Sequence, residues 1–271
     1  MCLALSRSHL LFHRPSKFRW IEMSLFKYSA PSAFYPLAGK LVPWFGTLAF
    51  LLCFAGLYLG LFVAPEDFQQ GEVYRIIFIH VPAAWIAMFI YLIMAGYAVL
   101  SLVYQTRLSS MMIEALAPTG AMFTVLALWT GALWGKPTWG TYWAWDARMT
   151  STLILLFLYV GYIALVNAIE DKKRADKAGA LLVLIGSVNV PIIYFSVKWW
   201  NTLHQGASIS VSQGNKMATV MLVAMLIMAL ACWMYAIAVS LCRVRAIILT
   251  REKNAAWVND ISEIKNRKDA K

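Results

Sequence analysis

Two histidines and one tryptophan-rich stretch carry most of the chemistry this sequence offers. Of four histidines, His9 and His13 lie in the first 22 residues. The other two are His80, in Tyr74-Arg75-Ile-Ile-Phe-Ile-His80-Val-Pro82, and His204, in Lys198-Trp-Trp-Asn-Thr-Leu-His204-Gln-Gly206. The stretch Trp134-Gly-Lys-Pro-Thr-Trp139-Gly-Thr-Tyr142-Trp143-Ala-Trp145-Asp146 holds four tryptophans and a tyrosine, a third of the chain's 12 Trp. Interfacial anchoring explains a few such rings but not this density. A flat array of aromatic faces suits a planar apolar ligand. Two imidazoles can supply both axial positions of a haem iron. Zinc suits the set less well, because no outward cysteine and no His-x-x-x-His spacing accompanies them.

Each residue also has a plainer reading. His80 fits a buried histidine satisfied by a carbonyl near the Pro82 kink, and His204 fits an ordinary loop histidine. Asp146, just before an apolar run, is placed to cap a helix N-terminus. Arg75, Lys136, Arg148 and Lys198 are equally suited to ligand carboxylates and to lipid phosphates. Trp139 and Trp143 are spaced to share a helix face, yet Gly135, Pro137 and Gly140 favour an irregular entry into the loop.

The elements that must position these residues are legible from composition. Hydrophobic residues make up 61% and charged residues 14%, with mean hydropathy +0.65, which is no soluble globular composition. The apolar residues fall into six runs, Leu41–Val63, Ile76–Val99, Ile113–Leu133, Met149–Ile169, Ala178–Val197 and Met217–Leu241. Each is about the 20 residues a helix needs to cross a bilayer, and backbone groups in lipid must be satisfied within the segment. The fold class is therefore all-α, a polytopic membrane protein with six transmembrane helices. Its divisions are a 1–40 N-terminal segment, a 41–241 membrane domain with the tryptophan-rich loop at 134–148, and a 242–271 tail expected to be a fraying helix. Residues 1–22 read as a non-native or disordered extension, since Met23 opens a fresh Met-Ser-Leu-Phe-Lys.

The net charge of +11 is distributed by topology. Nineteen of the 24 Lys and Arg fall on one side of the six spans; only Arg75, Lys136, Arg148, Lys198 and Lys216 fall on the other. The positive-inside rule then places both termini in the cytoplasm, and the basic excess calls for anionic lipid rather than nucleic acid. His80 lies about 7 Å inside the outer end of span two, at 1.5 Å per residue, and His204 follows the outer end of span five. Both share the face of the tryptophan-rich loop. The four cysteines, Cys2, Cys53, Cys232 and Cys242, form neither a CxxC pair nor a CxxCH haem-attachment site. No acid–base pair or nucleophile suggests an enzyme.

The segment Trp134–Asp146 resembles the tryptophan-rich "WWD" signature of haem-handling proteins in cytochrome c biogenesis. With Tyr74–Ala84, Trp145-Asp146-Ala147-Arg148 and Lys198–Gly206, the chain from about Leu41 to Arg251 is similar to the haem exporter C (CcmC) family. Larger haem lyases sharing the signature typically read Trp-Asp-Pro-Lys where this chain has Trp145-Asp146-Ala147-Arg148. Tyr142 stands where many relatives carry Trp, and it keeps an aromatic face. The resemblance implies haem b held at the periplasmic face of a bacterial inner membrane. His80 and His204 would be the axial ligands, with Trp134, Trp139, Tyr142, Trp143, Trp145 and Asp146 around the macrocycle and Arg75 and Arg148 as candidate propionate partners. It also implies delivery to the haem chaperone CcmE, with CcmD and the ABC-type CcmA/CcmB pair as partners. Two other readings stay open on the residues alone, a transporter moving haem across the bilayer and a b-type electron carrier. The first calls for a polar path, where only Glu114 stands out. The second calls for histidines in both leaflets.

Overall fold

The computed structural model describes residues 27–200, 202–204, 209–210, 214–215 and 217–260. The expected N-terminal extension at 1–22 and the tail beyond 260 lie outside these residues. Seven helices follow in order: α1 Pro31–Tyr58, α2 Ile77–Tyr104, α3 Arg107–Trp139, α4 Ala147–Ala168, α5 Lys172–Gly186, α6 Asn189–Trp199 and α7 Thr219–Arg251. With α5 and α6 counted as one interrupted span, six segments are long and apolar enough to cross a membrane. A two-residue antiparallel ladder, Ile209–Ser210 with Gly214–Asn215, lies between α6 and α7.

The helices overrun the apolar runs in the sequence. Hydropathy marks where lipid ends, whereas a helix stops where its backbone is capped or broken. Span one begins at Pro31, ten residues before the apolar run, because proline suits the first helical turn. Helix α3 continues through Gly135 and Pro137 to Trp139, so Trp134 and Trp139 are helical rather than in a loop. Gly140, at φ 78°, supplies the left-handed cap that stops it, and Trp143 therefore shares no helix face with Trp139. Asp146 caps α4 by accepting the Met149 N–H at 2.8 Å, and Asp171 caps α5 by accepting that of Arg174 at 2.8 Å. The fifth span breaks at residues 187–188, shortly before Pro191, whose nitrogen cannot donate to the Ser187 carbonyl. Where it is described, the tail is largely helical: α7 continues to Arg251, and after a turn the helical residues 256–260 seat Trp257 on Tyr35, ring centroids 5.9 Å apart.

Span one closes in a π turn, Leu59–Val63, in which the Ala64 N–H reaches the Leu59 carbonyl at 2.7 Å. It packs along α7, where a side chain at Gly56 would collide with Met228. Helix α3 is the central element, 61% of its apolar window buried against 17% for span one. The main core joins Ile86, Ile90 and Tyr91 of α2 to Ala117 and Phe123 of α3, with Leu155 and Tyr159 of α4 and Ala180 and Val183 of α5. The Tyr35–Trp257 contact brings both described chain ends to one end of the bundle, which we call the arginine end. His80, His204 and the tryptophan-rich segment lie at the opposite, histidine end.

Candidate functional site

His80 and His204 line one cleft of about 50 Å³ with Arg148. The rest of its wall is mostly apolar: Ala84, Ala87 and Met88 of α2, Leu128 of α3, Leu155 of α4 and Ile193 of α6. The two histidines and Arg148 each come from a different element, with Thr152 on the same helix as Arg148. His80 sits in the first turn of α2, Arg148 in the first turn of α4, and His204 on the irregular stretch after α6. Gly131 allows the close fit, since a Cβ there would lie 2.9 Å from His80 Cε1.

Both rings are held from behind. His80 Nδ1 lies 3.0 Å from Thr130 Oγ1, and the Trp134 ring stands edge-on to the imidazole at 5.6 Å. His204 Nδ1 lies 3.3 Å from Asp146 Oδ2, with the Trp139 ring 4.9 Å away. Asp146 thus serves two roles, one oxygen capping α4 and the other facing His204, with its side chain only 8% exposed. Burial pushes the His204 imidazole below the ordinary histidine value, against the opposing pull of the Asp146 carboxylate. Among the described residues the Arg148 guanidinium has neither a hydrogen bond nor an ion pair, although Asp146 is near enough to act on it through space.

The tryptophan-rich segment is not a single flat shelf. Trp143 and Trp145 meet at 76°, Trp139 is inclined 57° to His204, and Trp134 stands at 80° to His80. Its residues end one helix and begin another, so no shared backbone plane aligns their rings. Trp134 is anchored by donating its indole N–H to Gln70 Oε1 at 2.7 Å. The buried Trp143 indole N–H has no acceptor among the described residues. Trp145 is 78% exposed, and Tyr142 is exposed beside Lys136, whose ammonium lies 5.4 Å from its ring.

Arg75 does not join the cleft. Its guanidinium donates to the Gly60 and Ala64 carbonyls at 2.7 and 2.9 Å and pairs with Glu72. It thereby satisfies carbonyls left over where the π turn ends, so its donors are not free for a ligand. Sequence reasoning missed Thr130 and Gly131. A hydroxyl in an apolar run is a weak signal, because threonine in a helix satisfies itself on the preceding turn.

Comparison with known proteins matches most of the chain. The family model for heme exporter protein C (CcmC) matches residues 24–259. Heme exporter protein C of Escherichia coli strain K12 is 43% identical over 250 residues, 90% of this chain and 99% of that protein. Its namesake from Bradyrhizobium diazoefficiens is 44% identical over 229 residues, covering 84% and 87% of the two chains. A putative cytochrome c biosynthesis ccmC-like mitochondrial protein of Marchantia polymorpha is 50% identical over 154 residues, 57% of this chain and 65% of its own. On the family match and these identities, the chain belongs to the heme exporter protein C family.

Proposed function

We propose that this protein holds haem at the histidine end of its six-span bundle and passes it on during cytochrome c maturation. The haem is cargo, here haem b. The observation that carries the reading is the meeting in one apolar cleft of His80, His204 and Arg148, which has no partner among the described residues. Two neutral imidazoles suit ferric or ferrous iron, and a half-buried guanidinium suits a propionate. Positive-inside bias supports placing this end in the periplasm and both termini in the cytoplasm of a bacterial inner membrane. Family membership supports CcmE as the receiving chaperone, with CcmD and the CcmA/CcmB pair as companions. The covalent step on the chaperone is assigned to the haem and the partner.

The cleft as it stands admits a small group and not a whole porphyrin. Holding iron between both imidazoles therefore requires the cleft to widen; His80 and Arg148 sit on long packed helices, whereas His204 follows α6 on an irregular stretch. The exposed rings of Tyr142 and Trp145 lie outside the cleft, where they would cover the remaining macrocycle. Movement of haem through the bundle is the weaker reading. The core between the cleft and Glu114 is packed with Tyr91, Tyr159 and Tyr162.

The test is an absorbance titration of the purified protein with haemin. Wild type should give a low-spin bis-histidine spectrum. His80→Ala and His204→Ala should each shift it, and the double variant should abolish specific binding. A wild type with no Soret complex, or a double variant that binds unchanged, removes the reading.

A further inference from the structure

We infer that Thr130 and Asp146 are positioning residues that hold His80 and His204 in the tautomer whose bare nitrogen is Nε2. Both rings are then ready to ligate without a proton shift. The functional meaning rests on the haem reading above, whereas the tautomers are inferred from the groups placed behind each ring.

Thr130 decides the His80 tautomer by the direction of its single hydroxyl proton. That hydroxyl lies 2.7 Å from the Leu126 carbonyl and 3.3 Å from that of Ala127. A carbonyl only accepts, so the hydroxyl proton points back along the helix. Toward His80 Nδ1, at 3.0 Å, the hydroxyl can offer only a lone pair. With the hydroxyl proton engaged by the carbonyls, Nδ1 is the nitrogen that donates, and in a neutral imidazole this leaves the lone pair on Nε2. Gly131 completes the arrangement by letting Cε1 rest against bare helix backbone.

Asp146 does the same for His204 with a different chemical group. Its Oδ1 accepts the Met149 N–H, and its Oδ2 faces His204 Nδ1. An ionised carboxylate has no proton to give, so Nδ1 again donates and Nε2 is bare. Among the described residues the side-chain hydrogen bonds of the two rings, to Thr130 and Asp146, are both made at Nδ1, the Ala127 backbone also bearing on His80, and both rings line the cleft. The supports are unequal, since a carboxylate behind an imidazole makes it a stronger donor to metal than a hydroxyl does. His204 is thus the tighter ligand and His80 the more exchangeable one.

Substitutions can reverse the proton assignments without removing either ring. In Asp146→Asn the amide oxygen must keep the Met149 cap, which turns the amide NH₂ toward His204 and forces the opposite tautomer. Thr130→Val removes the acceptor behind His80, and Thr130→Ser restores it. The experiment is ¹⁵N spectroscopy of histidine-labelled, haem-free protein in detergent micelles, with rings assigned through His80→Ala and His204→Ala. Wild type should show a protonated Nδ1 and a bare Nε2 on both rings. Asn at 146 should exchange the two signals of His204, Val at 130 should give His80 a mixture, and Ser should return the wild-type pattern. In a parallel haemin titration, Asp146→Asn should weaken binding by about 10–100-fold and Thr130→Val by about tenfold, the range seen for groups behind metal ligands.

A protonated Nε2 on either ring of the wild type would overturn the proposal without recourse to any variant. So would Asp146→Asn and Thr130→Val spectra that match the wild type. If wild type fails to bind haemin while the tautomers are as stated, the haem reading falls and the assignment of the two positioning residues stands.

Discussion

The two ends of the bundle treat charge in opposite ways. At the arginine end, Arg251 of α7 pairs with Glu114 of α3 and with Asp176 of α5 at 2.8 Å. Arg107 meets Glu252 at 2.9 Å, and Arg243 donates to the Ala115 carbonyl and Thr119 hydroxyl, both at 2.8 Å. Arg245 lies over the Tyr35 ring at 4.5 Å. At the histidine end, among the described residues, Arg148 has no partner, two imidazole nitrogens are bare, and the Trp143 N–H is orphaned. Buried polar groups left unmatched are costly, and Arg245 Nε is one such group at the arginine end. But Arg251, Arg107 and Arg243 there are engaged within the fold, whereas the cleft-lining Arg148 at the other end has no partner among the described residues. The first is a clamp across three spans, and the second is a site.

Substitutions can test that contrast, with the largest effect expected at the clamp. Arg251→Ala leaves Glu114 and Asp176 without their shared cation. It should destabilise the protein in detergent by about 2–4 kcal/mol, somewhat below a fully buried pair, while haemin affinity of the folded fraction holds. A loss below about 1 kcal/mol would reduce the clamp to a surface pair. Gly131→Ala should do the reverse. Its Cβ pushes on His80, so haemin affinity should fall about tenfold, or roughly 1.4 kcal/mol, with a stability loss of about 1 kcal/mol from overpacking, smaller than that of Arg251→Ala; unchanged affinity would show that His80 does not need its seat.

Smaller effects separate the two indoles. Trp134→Phe deletes a made hydrogen bond and should cost about 1 kcal/mol, whereas Trp143→Phe deletes an unmade one and should be neutral or stabilising without ligand. Equal losses in unfolding experiments would deny the difference. The smallest effect is one of pH. His204 ionises below the ordinary value of about 6.5, so the unfolded chain takes up the proton more readily. The stability this contributes is complete above that value and is lost as pH falls through the folded one. The haem-free protein should therefore lose thermal midpoint between about pH 7 and pH 5, and His204→Gln should flatten part of the slope. A slope identical in the variant would exclude His204.

What the sequence discloses depends on the range of the interaction. The six spans were legible because bilayer thickness writes itself into run length. Grouping His80, His204 and Trp134–Asp146 at one end needed only an even count of crossings. The Asp146 cap was readable from its place before an apolar run, but not its second oxygen on His204. Thr130 was illegible, since its contact with His80 bridges two spans and its type suits any helix. Arg75 was misleading: its position matched a ligand partner, but the carbonyls that claim it belong to a π turn that no residue pattern announces. The helix ends were missed because Pro31, Gly140 and the break before Pro191 act on backbone hydrogen bonds rather than hydropathy.

That π turn at Leu59–Val63 also sets the phase of the chain. It accommodates one residue more than an α turn, so the backbone beyond Val63 is rotated by about 100° relative to a continued helix. Removing Leu61 would cancel the offset. The turn would close as α, the Gly60 carbonyl now bound by Arg75 would find a partner within the helix, and the guanidinium would keep Glu72 and the Ala64 carbonyl beyond the helix end. The packing of Gly56 on Met228, one turn earlier, would stay in register. Span one should therefore accept a one-residue deletion at 59–63 with little loss of thermal midpoint, and the same deletion among residues 50–56 should unfold it.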